Sequence, residues 1–283
     1  MNMITACIDG SEISAYVCDA AAWVGNALDA PVKLLHVLER AVVPINDNLS
    51  GAIGLGSREH LLVEMTALDE QRSKLALEHG KHMLEDAKQR VQNLGVADVQ
   101  IKQRHGYLLD ALAESEKDTR VFVMGRLGEG HDLGSKTIGA HLENSVRAIH
   151  TPILVTVGEF KQPVSYMIAY DGSATVDEAI KKFSESPLLK DLPAHLVMVA
   201  SNTNEHSKQL DSAKELLSSS GRKVTATLLE GSVQEALNLY REKNQIDLMV
   251  MGAYGHSRLR EFFVGSHTSK MIARSPIPLL LLR

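Results

Sequence analysis

Three short blocks of this chain occur twice in the same order, and that repetition limits its fold more than any other feature. Ala6-Cys7-Ile8-Asp9-Gly10-Ser11 is matched by Ile168-Ala169-Tyr170-Asp171-Gly172-Ser173. Val121-Phe122-Val123-Met124-Gly125 is matched by Leu248-Met249-Val250-Met251-Gly252. His150-Thr151-Pro152-Ile153-Leu154-Val155 is matched by Pro276-Ile277-Pro278-Leu279-Leu280-Leu281. Blocks repeated in one order mark a duplicated unit, and a length of 283 residues is enough for about two domains. The two units span 1–158 and 164–283. Their join, Gly158-Glu159-Phe160-Lys161-Gln162-Pro163, is short, so the copies are expected to pack closely.

The copies differ in length. Asp9 and Gly125 are 116 positions apart, Asp171 and Gly252 only 81, so the first copy carries about 35 extra residues. They are placed at 41–76. That stretch opens with loop-forming Pro44, Asn46, Asn48, Gly51, Gly54 and Gly56, then turns helical, with Leu61, Leu62, Met65, Leu68, Leu75 and Leu77 spaced for one face. It reads as a pocket cover, a partner-binding arm or an ornament on the domain edge.

Within each copy, short apolar runs alternate with helical segments. Strands are predicted at 4–8, 32–37, 99–103, 121–124 and 153–157, then at 166–170, 195–200, 223–228, 248–251 and 279–282. Helices are predicted at 15–28, 75–93, 108–115, 177–185, 207–219, 233–243 and 267–274. Apolar strands that do not alternate belong to parallel sheets covered on both faces. The expected class is therefore α/β: two tandem doubly wound parallel-sheet domains, with ligands at the carboxyl ends of strands near the switch in strand order.

The net charge of −5 gives no basic footprint for nucleic acid. No apolar stretch reaches the ~18 residues of a membrane span, and the first residues lack a signal peptide's basic and apolar regions. The reading is a cytoplasmic protein. Cys7 and Cys18 are too few for a disulfide framework and are read as reduced thiols, with a bridge between them as the alternative.

The apolar run Ile246 to Met251 leads into Gly252-Ala253-Tyr254-Gly255, nine residues, then Gly265-Ser266 and a helical stretch. Glycines leave amide groups uncovered, and a helix N-terminus adds its positive end. Such a turn suits a polyphosphate without a lysine. Ser266 and Thr268 are either helix caps or phosphate donors, and Asp171 is either a turn residue or a ligand contact. Arg258 and Arg260 sit in the loop as outer-phosphate or solvated cations. His256 and His267 flank it.

The spacing G-x2-G-x9-G-S resembles the nucleotide-binding signature of the universal stress protein family, and the likeness covers both copies. It implies an adenine-nucleotide alpha-hydrolase-like domain that binds ATP or a related adenine nucleotide, with or without Mg²⁺. The site it implies comprises Asp171, Val199, Met251, Gly252, Gly255, Gly265, Ser266, His267 and Thr268. Asp171 would lie toward ribose and adenine, and Val199 at the adenine edge. Gly252 and Gly255 would meet ribose and phosphate, and Gly265, Ser266 and Thr268 the polyphosphate. The role implied is a regulatory or protective one in a stress response, with at most weak ATP hydrolysis. A slow ATPase and a nucleotide-independent dimeric scaffold are the alternatives. The very apolar final strand serves either as an edge for a homodimer or as a contact between the two copies.

The first copy departs from the signature. Its pattern is Gly125-Arg126-Leu127-Gly128, ten residues, then Gly139-Ala140, with Leu142 where the second copy has Thr268. Weak or no ATP binding, a different ligand, or structural support alone is expected there. Gly134-Ser135-Lys136-Thr137 is not a P-loop, because Ser135 displaces the glycine that must precede the lysine. His79 and His82 lack the further ligands of a zinc site, and no catalytic constellation is identified.

Overall fold

In the computed structural model the described residues are 3–39, 55–128, 138–253 and 266–283. The first copy contributes β1 (Met3–Cys7), α1 (Ile13–Leu28), β2 (Val32–Leu38), α2 (Leu55–Asn93), β3 (Val99–His105), α3 (Leu108–Ser115), β4 (Thr119–Gly125), α4 (Ala140–Ala148) and β5 (Ile153–Thr156). The second contributes β6 (Tyr166–Tyr170), α5 (Ala174–Ser184), β7 (Ala194–Val199), α6 (Asn204–Ser219), β8 (Val224–Leu229), α7 (Val233–Lys243), β9 (Leu248–Gly252), α8 (Ser266–Arg274) and β10 (Leu279–Leu282).

All ten strands form one sheet, in the order β3-β2-β1-β4-β5-β10-β9-β6-β7-β8. Each half is a parallel five-stranded sheet whose first strand lies between its second and fourth. The order reverses beside β1 and again beside β6. At these switch points neighbouring connections leave on opposite faces and a crevice opens at the carboxyl ends.

Side-chain alternation divides the core into two layers. Ile4, Ala6, Val121, Ile168, Leu196 and Val250 face the layer under α1, α2, α5 and α6. Phe122, Met124, Val155, Met167, Met249 and Leu279 face the layer under α3, α4, α7 and α8. Two-sided burial is why these strands read as continuous apolar runs.

The halves meet at one antiparallel pairing, where Leu279, Leu280 and Leu281 of β10 oppose Val155, Leu154 and Ile153 of β5. The final strand is therefore the contact between copies. The edge that the sequence also offers to a homodimer is occupied within this chain. Two arginines reinforce the join. Arg126 Nη1 donates to Ser275 O at 2.9 Å, and Arg283 Nη1 donates to Ile149 O at 3.0 Å.

Two elements differ from the sequence expectation. The helical stretch read over 61–75 and the helix predicted at 75–93 are one helix, which begins at Leu55 and runs 39 residues to Asn93. Much of the 41–76 stretch is thus a continuation of α2, with Val63, Leu68 and Leu75 exposed; residues 40–54 lie outside the described residues. The nine-residue α4 is not among the predicted helices; Leu142 and Val146 anchor it to the core. Cys7 and Cys18 are free thiols, as read. No helix among the described residues is long and apolar enough to cross a membrane.

Candidate functional site

In both halves the turn after the first strand is built alike. Gly172 follows β6 with φ +72° and Gly10 follows β1 with φ +85°, a left-handed conformation that favours glycine. In the second half, the exposed Asp171 accepts from Ser173 N at 2.9 Å, closing a turn. Ser173 then caps α5, its Oγ accepting from Val176 N at 3.3 Å. The aspartate has the turn role open to it from sequence, and its carboxylate stands exposed at the carboxyl edge of the sheet.

Val199 ends β7, opposite Leu229, and is half-buried. Met251 is buried near the end of β9, and Gly252 is its last residue. A Cβ on Gly252 would stand 2.7 Å from Val176 Cγ2, so the bare glycine lets α5 pack against the strand. Gly125 does the same in the first half, where a Cβ would meet Ile13 Cγ2 at 2.7 Å. These glycines thus have a packing duty that the motif alone does not reveal.

Gly255 and Gly265 lie outside the described residues, as do Arg258, Arg260 and His256. Ser266 and His267 open α8, and Thr268 in its first turn is half-buried. That turn carries no acidic residue, so no carboxylate opposes an anion at the positive end of the helix. The structure thus gathers Asp171, Val199, Met251 and Gly252 at the carboxyl ends of adjacent strands β6, β7 and β9. Among the described residues the donors at this end are the start of α8 and the Thr268 hydroxyl in its first turn.

The first half has a cleft of about 510 Å³ at the carboxyl ends of β1, β2 and β4 beside the start of α4. Asp9 Oδ1 at its floor accepts from Ser11 N at 3.0 Å, Ser11 Oγ at 2.5 Å and Ser14 Oγ at 3.0 Å. The Gly139 N–H, which the motif would turn toward a phosphate, donates instead to Arg126 O at 3.0 Å. Leu142, standing for the missing threonine, is buried in the core.

At the rim, Glu39 Oε1 accepts from Leu108 N at 3.2 Å, at the opening of α3. The same oxygen lies 3.6 Å from His141 Nδ1 in the first turn of α4. Strand register puts Ala6 opposite Leu34 and Ile168 opposite Leu196, so Glu39 corresponds to Ser201 in the second half. The sequence analysis does not single out Glu39. Its signal is a carboxylate at a strand end where the other copy has a hydroxyl. His79 and His82 are both exposed on α2.

Doubly wound sheets joined through their closing strands, with glycine turns at the switch points, define a tandem doubly wound α/β protein. The universal stress protein family model matches residues 1–156 and 167–283. The chain belongs to that family. It is 36% identical over 288 aligned positions to universal stress protein Slr1230 of Synechocystis sp., covering 100% of both chains. The crystal structure of a universal stress protein from Archaeoglobus fulgidus has the same fold, with a TM-score of 0.73 at 17% identity, over 99% of this chain and 98% of that one. Another Archaeoglobus fulgidus universal stress protein, solved in complex with dAMP, aligns with 42% of this chain and 98% of its own, at 14% identity and a TM-score of 0.34. That likeness describes the other protein's ligand and bears no weight here.

Proposed function

We propose that this chain is a cytoplasmic stress-response protein that binds ATP, or a related adenine nucleotide, in its second half. The observation that carries the reading is the passage from β9 to α8. A buried strand ends on Gly252 beside the exposed Asp171, and the signature G-x2-G-x9-G-S closes on a helix whose first turn is free of acidic residues. Asp171 and Val199 would meet the nucleoside. Met251, Gly252 and Gly255 would line the ribose and inner phosphates. Gly265, Ser266, His267 and Thr268 would hold the outer phosphates, with Mg²⁺ neutralising part of their charge when it accompanies them. Binding stabilises the folded state by mass action, by about 2.7 kcal/mol at a hundredfold excess over Kd.

The test begins with denaturing the purified protein and identifying any released nucleotide by mass spectrometry. ATP titration then compares wild type with Gly265→Val/Ser266→Ala, in which a branched Cβ blocks the backbone approach and a donor is lost. The double variant is expected to lose most of its affinity. Equal binding by both proteins rejects the assignment.

A further inference from the structure

The first-half cleft keeps its volume, and its described residues offer a phosphate fewer donors than the motif would. Resting on the reading that these clefts take adenine nucleosides, we infer that it binds a neutral, phosphate-free purine nucleoside.

Four observations remove the phosphate. The Gly139 amide is already used by Arg126 O. Ala140 and the buried Leu142 supply no hydroxyl. Among the described lining residues, the one arginine, Arg126, is buried and donates to Ser275 O in the other half. Most directly, the chain brings its own carboxylate to this end of the cleft. Glu39 takes the first amide of α3 and stands 3.6 Å from His141 at the start of α4. An incoming phosphate would meet like charge at the helix ends that would otherwise attract it.

The rest of the cleft is still shaped for a ligand. Protein interiors are packed to crystal density, and an unused crevice tends to fill. Here about 510 Å³ remains, within the roughly 300–1,000 Å³ of small-molecule sites. Leu35, Val37, Met124 and Leu142 give it apolar walls for a flat base. Val37 corresponds by strand register to Val199, the residue at the expected adenine edge of the second half. The cleft joins an apolar, base-sized wall to an acidic rim, which selects against phosphorylated ligands.

The experiment uses the full chain carrying Gly265→Val/Ser266→Ala, so that the second cleft is silent. Equilibrium dialysis with labelled adenosine, AMP and ATP should find one equivalent of adenosine bound, with AMP weaker by at least about tenfold. Adding Val37→Trp fills the wall and should abolish adenosine binding. Adding Glu39→Gln should tighten AMP and leave adenosine little changed, bringing their ratio toward one. Hydrogen exchange without these added changes should show adenosine protecting 36–39 and 138–142, a readout that stands even where Val37→Trp fails to fold. Absence of adenosine binding, protection elsewhere, or AMP bound as tightly as adenosine overturns the inference. Failure of the ATP site reads out separately, in the wild-type titration.

Discussion

Leu280 of β10 lies directly opposite Leu154 of β5 in the antiparallel register that joins two parallel half-sheets into one. Both side chains are 1% exposed. Stability of the two halves therefore passes through this contact. Leu280→Ala should cost about 2–5 kcal/mol, the range for a buried leucine replaced by alanine. Leu280→Asp places an unpaired carboxylate in the same layer and should cost more, about 4 kcal/mol or above. Urea unfolding followed by circular dichroism checks both. A Leu280→Asp protein with a wild-type midpoint would show that the pairing contributes nothing.

A second prediction separates packing from binding at Gly252. Its missing Cβ leaves 2.7 Å to Val176 Cγ2, closer than side chains tolerate. Gly252→Ala should destabilise by about 1–3 kcal/mol through overpacking. Val176→Ala removes the obstructing methyl groups, so the double variant should be more stable than the sum of the single changes predicts. Strict additivity in the unfolding cycle would mean that the glycine is needed for another reason.

The sequence and the structure agree most closely where burial is two-sided. Each predicted strand has a counterpart in the sheet, because strands such as Val121–Met124 and Leu248–Met251 are apolar on both faces and carry an unmistakable signal. Periodicity read both parts of α2 as helical without joining them. Met65, Leu68 and Leu75 are spaced as a helix face but are exposed, so nothing in the pattern ties that stretch to the helix that follows as one 39-residue element. The partner of β10 was legible only as a choice, since an apolar edge pairs equally well with its own chain or a second one. At the site, the strand ends that carry Asp171, Val199, Met251 and Gly252 are legible from the repeated blocks and the predicted strands. The sequence does not show that Gly252 accommodates Val176, or that Glu39 reaches Leu108 and His141, because those contacts cross between elements far apart in the chain.

Arg222 supplies a third prediction. Its guanidinium is buried, with no carboxylate partner among the described residues. It donates instead to the carbonyls of Phe183, Ser186 and Leu188 and to the Tyr166 hydroxyl, at 2.6 to 3.3 Å, and lies 4.5 Å from the Phe183 ring centroid. It closes the end of α5 onto β6. Arg222→Met keeps much of the apolar volume but leaves these acceptors buried and unpaired, at a cost of about 2–4 kcal/mol. Arg222→Lys should restore less than half of that, since one ammonium cannot span acceptors that a planar fork reaches. Full rescue by lysine in thermal unfolding would reduce the residue to a simple charge.

The last prediction concerns acid. His195 Nδ1 pairs with the Tyr240 hydroxyl at 3.0 Å, and that hydroxyl also lies 3.2 Å from Thr227 Oγ1. Burial pushes the imidazole below its ordinary value, so the folded state resists protonation more than the unfolded chain does. The contribution is fully present above the unfolded pKa of about 6.5 and is lost as pH falls through the lower folded value, because the unfolded state takes up the proton first. The group is partly exposed, so the effect should be modest. His195→Gln keeps a neutral partner for Tyr240 and removes the titration. The drop in urea midpoint between about pH 7.5 and about pH 5.5 should therefore be smaller in His195→Gln than in wild type. An equal drop in both proteins would place the acid sensitivity elsewhere.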